Sequence, residues 1–194
     1  VATDKKYSAL VMGGSAGSIK VIKQILGDLT FVPSVPIFIA LHRLQSDKNS
    51  KLQEVIQYAT PIPVIEPTHG QRIESGKIYL APADYHLVVT PELTFELSGS
   101  PLVHYSRPSI DVLFLSSADV FKHSLVGVLV TGANRDGALG MKAIKEQGGH
   151  TIVQDPNDSF VATMPKAAIQ LSKIDHVLNS NDIASHLNRL GHLL

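Results

Sequence analysis

Three residues of the types needed for nucleophilic catalysis stand where apolar runs end. Ser15 lies in Gly13-Gly14-Ser15-Ala16-Gly17, a literal G-x-S-x-G directly after the mostly apolar run Ser8 to Met12. Glycines accept backbone angles that other residues resist. A turn of this kind between strand and helix exposes a serine hydroxyl beside helix-start amides. His42 follows the run Val35 to Leu41, and Asp136 comes shortly after the run Leu125 to Val130. A serine hydroxyl attacks poorly until a base takes its proton, and an imidazole base works best when a carboxylate fixes its tautomer. The chain order Ser–His–Asp differs from the Ser–Asp–His order of α/β-hydrolases. That argues against those families but not against the chemistry, because a triad is a geometry.

Each residue also has a plainer reading. In that reading the glycines serve only a sharp turn, with Ser15 capping the following helix, or cradle a phosphate. A dinucleotide loop is disfavoured: the strict G-x-G-x-x-G is absent, and His42 stands where an acidic residue would meet the ribose. Asp136 could simply favour the positive end of the next helix. Among nine histidines, His104 and His150 are the main rivals to His42 as base. Arg43, Arg107 and Arg135 read as solvated or ion-paired. There is no H-E-x-x-H and no useful clustering of acids with histidines, so neither a metal nor a cofactor is expected.

The elements that must position these residues follow from apolar patterning. Ser8–Met12, 35–41, 77–81, 125–130 and 150–154 read as buried strands, 62–65 as a short apolar run, and 177–178 as a possible last strand. Helices are expected over about 18–26, around Leu52 to Ile56, over 109–120, 138–147 and 166–171, and after a cap at Ser180 or Asn181. Residues 85–90 and 93–97 read as an antiparallel hairpin, either an insertion or a sheet edge. The alternation predicts an α/β fold: a doubly wound, mostly parallel sheet with helices on both faces. Sites in such folds form outside the carboxyl ends of the strands, where Ser15, His42 and Asp136 are all placed.

Composition narrows the function classes. The 194 residues suit one domain, and 44% apolar content argues against disorder. Seventeen basic residues balance seventeen acidic ones, and aromatics are only 6%, so a nucleic-acid partner is not expected. The absence of cysteine removes thiolate nucleophiles and disulfides. No apolar run approaches a membrane span, so the chain is not expected to be membrane-inserted. The first residue is Val1, which is expected of a trimmed chain or an excised domain.

The chain resembles the catalytic domain of the chemotaxis protein-glutamate methylesterase family, collinearly from about Tyr7 to Leu178. Carrying the resemblance are the Gly13–Gly17 turn, the strand ending at His42, Lys77-Ile78-Tyr79-Leu80-Ala81-Pro82-Ala83-Asp84-Tyr85-His86 and Ser106-Arg107-Pro108-Ser109-Ile110-Asp111-Val112-Leu113-Phe114. Gly127 to Ala138, Gly148 to Pro156 and Met164-Pro165-Lys166-Ala167-Ala168 complete it. The resemblance implies a cytoplasmic serine hydrolase that removes methyl groups from chemoreceptor glutamyl esters, sometimes also deamidating receptor glutamines. Ser15 would be its nucleophile, His42 its base and Asp136 its orienting acid. The oxyanion side would fall near Ala16 and Ala133, and the Ser106-Arg107 loop would border the cleft. The expected partner is the cytoplasmic region of a methylated chemoreceptor, with a receiver domain in a longer parent protein. Residues 1–194 are expected to be one catalytic domain without that receiver. The chain departs from the family pattern at Ala16-Gly17-Ser18, Arg43-Leu44 and Ala133-Asn134. The charges of Arg43 and Arg135 beside the triad suggest a different or more acidic substrate. Other expected possibilities are a hydrolase of a different ester or amide, or a non-catalytic binding domain.

Overall fold

The computed structural model describes residues 6–43 and 51–194, leaving Leu44 outside. Its strands are β1 (Ala9–Gly14), β2 (Ile37–Leu41), β3 (Val64–Ile65), β4 (Ile78–Leu80), β5 (His86–Val89), β6 (Phe95–Ser98), β7 (Leu125–Leu129), β8 (His150–Gln154) and β9 (His176–Leu178). The helices are α1 (Ser18–Gly27), α2 (Leu52–Gln57), α3 (Ile110–Phe121), α4 (Ala138–Glu146), α5 (Thr163–Leu171) and α6 (Ser180–Arg189). Seven strands form one parallel sheet in the order β3-β4-β2-β1-β7-β8-β9. This is the expected doubly wound fold. The hairpin β5-β6 forms a separate two-stranded sheet, so it is an insertion and not an edge of the main sheet.

Side-chain alternation along the strands divides the core in two. Leu10, Met12, Ile39, Val128 and Ile152 pack with Ile22 and Ile25 of α1 and Ile183 and Leu187 of α6. Val11, Ala40, Leu129 and Val153 face the other way, with Phe114 of α3, Met141 of α4 and Met164 of α5. The chain leaves β1 through α1 on the first face and leaves β7 through α4 on the second. The sheet order therefore reverses between β1 and β7, which is where an open α/β sheet makes its crevice.

The starts of α5 and α6 differ from the sequence reading. Helix α5 begins at Thr163, because Pro165 in the first turn lacks only an N–H that no helical carbonyl would have received. The cap of α6 is Asn179, whose side chain accepts the Asp182 N–H at 2.9 Å. An asparagine one residue before the expected positions serves the same physical role.

Candidate active site

The carboxyl ends of β2, β1 and β7 lie side by side. Gly14 pairs with Leu41, and the His42 N–H donates to the Gly14 carbonyl at 3.2 Å, so Ser15 and His42 leave the sheet as neighbours. On the other flank the Ser15 N–H donates to the Thr131 carbonyl at 2.9 Å, which draws the turn after β7 alongside. The buried Thr131 hydroxyl donates to the Ala16 carbonyl at 2.9 Å and fixes the two turns together. A Cβ on Gly14 would meet Ser18 Cβ at 2.5 Å and Val130 Cγ2 at 2.7 Å, so close packing demands glycine there. Gly17 has φ +80° and is the residue that starts α1, without any side-chain cap. Ser15 therefore does not cap α1 with its hydroxyl. Its carbonyl instead accepts from the Ser18 N–H at 3.0 Å and the Ser18 hydroxyl at 2.6 Å. The N–H groups of Ala16 and Gly17 have no acceptor among the described residues.

Asp136 is fully buried, and four donors surround its carboxylate. His42 Nε2 lies 2.6 Å from Oδ2, and the Ile110 N–H donates to the same oxygen at 2.7 Å. The Ser109 hydroxyl and the Asp111 N–H donate to Oδ1 at 2.8 and 2.9 Å. Asp136 does serve a positive helix end, but it is that of α3 and not of the helix that follows it in the chain. Burial by itself pushes this carboxyl up. His42 and the Asp111 and Ile110 N–H groups outweigh burial and hold it below the ordinary carboxylate range. An ionised carboxylate only accepts, so Nε2 of His42 carries the proton and Nδ1 offers a lone pair.

That lone pair faces Ser106, whose hydroxyl lies 3.1 Å from Nδ1. Ser15 makes no hydrogen bond to His42 among the described residues, although it is the adjacent residue. The loop carrying Ser106 is tied down twice. Arg107 pairs with Asp84 at 2.6 Å and donates to the Gly99 and Ser100 carbonyls at 2.9 Å, so its charge is engaged in the loop. His104 lies 3.4 Å from Asp111 Oδ2, whose other oxygen accepts the Gly140 N–H at 2.8 Å. Burial pushes the Asp111 carboxyl up to about 6, with Asp136 adding to the rise and Gly140 and His104 opposing it.

The remaining candidates separate clearly. Ala16 is half-buried beside Ser15, while Ala133 is exposed in the turn after β7. Arg43 is paired with Glu66 at 2.5 Å and is nearly buried, so its charge is neutralised locally and gives no support to an acidic substrate. Arg135 is exposed and lines a cleft of about 400 Å³ with His104, Leu139 and Leu171. His150 belongs to the opposite end of the sheet. Patterning alone missed Ser109 and Asp111 as supports of the acid. Their signal was the Ser-Ile-Asp at the start of α3, which sequence reads only as a cap.

The chain as a whole is similar to known proteins. The family model described as CheB methylesterase matches residues 10–187. A putative protein-glutamate methylesterase/protein-glutamine glutaminase of Leptospira interrogans is 40% identical over 184 residues, 95% of each chain. Protein-glutamate methylesterase FrzG of Myxococcus xanthus is 33% identical over 181 residues; the match covers 93% of this chain and 54% of FrzG. The crystal structure of the Thermotoga maritima CheB methylesterase catalytic domain superposes with a TM-score of 0.88 at 27% identity, covering 95% of this chain and 98% of that one.

Proposed function

The chain belongs to the CheB methylesterase family, and on that premise we propose that Ser15, His42 and Asp136 hydrolyse γ-glutamyl methyl esters of chemoreceptors. The observation that carries the assignment is the 2.6 Å contact between His42 and the buried Asp136, at the strand end beside Ser15. Residues 1–194 act as one catalytic domain in this reading, on the cytoplasmic region of the receptor. Glutamine deamidation is the companion reaction. A receiver domain is the regulatory partner in a longer parent protein.

Because Asp136 engages Nε2, the base nitrogen is Nδ1. The Ser106 hydroxyl yields that nitrogen as substrate brings Ser15 into line. Ser15 Oγ attacks the ester carbonyl carbon, its proton passes to Nδ1, and the carbonyl electrons move onto oxygen. The Ala16 and Gly17 N–H groups, with Ala133 across the cleft, receive that oxyanion. The C–O bond to the methoxy group then breaks, and Nδ1 returns its proton to give methanol. Water attacks the acyl-serine with Nδ1 again as base, releasing the glutamate and restoring Ser15. Asp136 stays ionised throughout and stabilises the imidazolium.

Methanol release from methylated chemoreceptor membranes tests the reading. The wild-type chain should release it, and Ser15→Ala should lower the rate by several powers of ten. The contact between Ser106 and Nδ1 favours one competing assignment, with Ser106 as nucleophile. Full activity in Ser15→Ala together with its loss in Ser106→Ala would establish that alternative.

A further inference from the structure

Away from the cleft, three imidazoles converge at the amino ends of the last two strands of the parallel sheet. His150 opens β8 and His176 opens β9. His176 is the register partner of Ile152, so His150, Ile152 and His176 project from the same face. Ile152 packs in the core shared with Ile183 and Leu187 of α6, and His186 lies between those two on the same helix. Strand pairing and helix packing thus aim all three rings at one spot. Their ring centroids are 5.2 Å (150–186), 5.1 Å (150–176) and 4.2 Å (176–186) apart. One nitrogen from each lies within 4.8 Å of the others.

We propose that His150, His176 and His186 form a site for one divalent transition ion of the zinc type, with three imidazole ligands and a water in the fourth position. An all-nitrogen set of neutral imidazoles suits zinc, cobalt, nickel and copper(II), and does not suit magnesium or calcium. Zinc–nitrogen bonds of about 2.0–2.1 Å in a tetrahedron place neighbouring ligand nitrogens about 3.3 Å apart. His150 Nε2 and His186 Nε2 are 3.0 Å apart, so small ring rotations open the gap. Asp175, beside His176, is not a fourth ligand, because it is held by Lys145 and by the Thr151 N–H and hydroxyl.

The protons balance without loss to solvent. Arg189 donates to His186 Nδ1 at 3.3 Å, so the His186 proton is on Nε2 and points to His150. Ion binding at Nε2 moves that proton to Nδ1, and the exposed Arg189 side chain turns away from it. His150 and His176 are half-exposed and give the ion a path in. The bound ion would join the three-residue edge strand β9 and the helix α6 to β8. A second cluster, His104 with Asp111 and Asp136, is a poorer host, because four donors already occupy the Asp136 oxygens.

Cobalt(II) titration of the tag-free, chelator-dialysed chain, read by its visible absorption, tests the site. One equivalent per chain should bind and give the intense bands of a four-coordinate ion, and zinc should displace it. His150→Gln and His176→Gln should each weaken binding at least tenfold, while His123→Gln, on an exposed histidine elsewhere, should not change it. At a hundredfold excess over Kd, zinc should raise the thermal midpoint by roughly 5–10 °C. Absence of a stoichiometric four-coordinate ion in the wild-type chain would overturn the proposal, whatever the variants do. Binding that survives both ligand substitutions, or is lost equally in His123→Gln, would overturn it too.

Discussion

The two ends of the parallel sheet both gather ionisable side chains, but they organise them differently. At the carboxyl end, the Asp136 carboxylate has four donors, two of them backbone N–H groups from the start of α3, and these fix its charge and its direction before any substrate arrives. At the amino end, one ring nitrogen from each of His150, His176 and His186 lies within 4.8 Å of the others, with His150 Nε2 3.0 Å from His186 Nε2. The first arrangement is pre-organised for one protonation state. The second brings ring nitrogens of three imidazole side chains to one spot. A site for proton transfer needs the former, because reorganising dipoles during a reaction raises its barrier. A site for a cation is compatible with the latter.

The largest test of this contrast is Asp136→Asn. An amide in place of the carboxylate presents His42 with the wrong partner for its Nε2 proton, and a rate loss of roughly ten-thousandfold is expected. Asp136→Ala should also lower stability by about 3–5 kcal/mol, because it leaves buried donors without an acceptor. Denaturant unfolding would measure this, and a change under about 1 kcal/mol would contradict the pre-organised picture. His176→Gln, at the opposite end, should leave ester hydrolysis unchanged.

Ser106→Ala should have a smaller effect. If Ser106 only holds Nδ1 in the resting state, the rate should stay within about tenfold of wild type, as for a lost neutral hydrogen bond. A steady-state comparison of the two chains on the same receptor substrate decides it.

The smallest expected effect concerns Asp111. Its folded value of about 6 is above the ordinary carboxylate value of 3.8, so the folded chain takes up a proton that the unfolded chain releases. Its contribution to stability is therefore greatest below about pH 4 and falls as pH rises towards about 6. Asp111→Asn removes this dependence and leaves an oxygen for the Gly140 N–H. The difference in thermal midpoint between variant and wild type should shift in favour of the variant across that window. A constant difference from pH 4 to 7 would show that Asp111 does not titrate there.

Much of this was legible in the chain itself. Continuous apolar runs marked β1, β2, β4, β7 and β8 as strands covered on both faces, and each was followed by turn residues that ended it. Because parallel strands place their following loops at one edge, that pattern already put Ser15, His42 and Asp136 together. The hairpin's separation from the main sheet was not legible, since alternation reports a half-buried strand without naming its neighbour. Nor was the pairing of Arg43 with Glu66, which joins residues whose separation carries no periodic signal.

What the sequence determined by itself was the order of strands and helices and the residue types at each strand end, because hydrophobic period and turn chemistry are local. Tertiary structure alone decided which imidazole nitrogen faces Asp136, that Ser106 occupies the other one, and that the amino end of α3 supplies two backbone donors to an acid later in the chain. It also decided the meeting of His150, His176 and His186, which are far apart along the chain. Hydrogen-bond partners and ligand sets depend on distances of a few tenths of an ångström between segments, and only the packing of helices against a twisted sheet sets those distances.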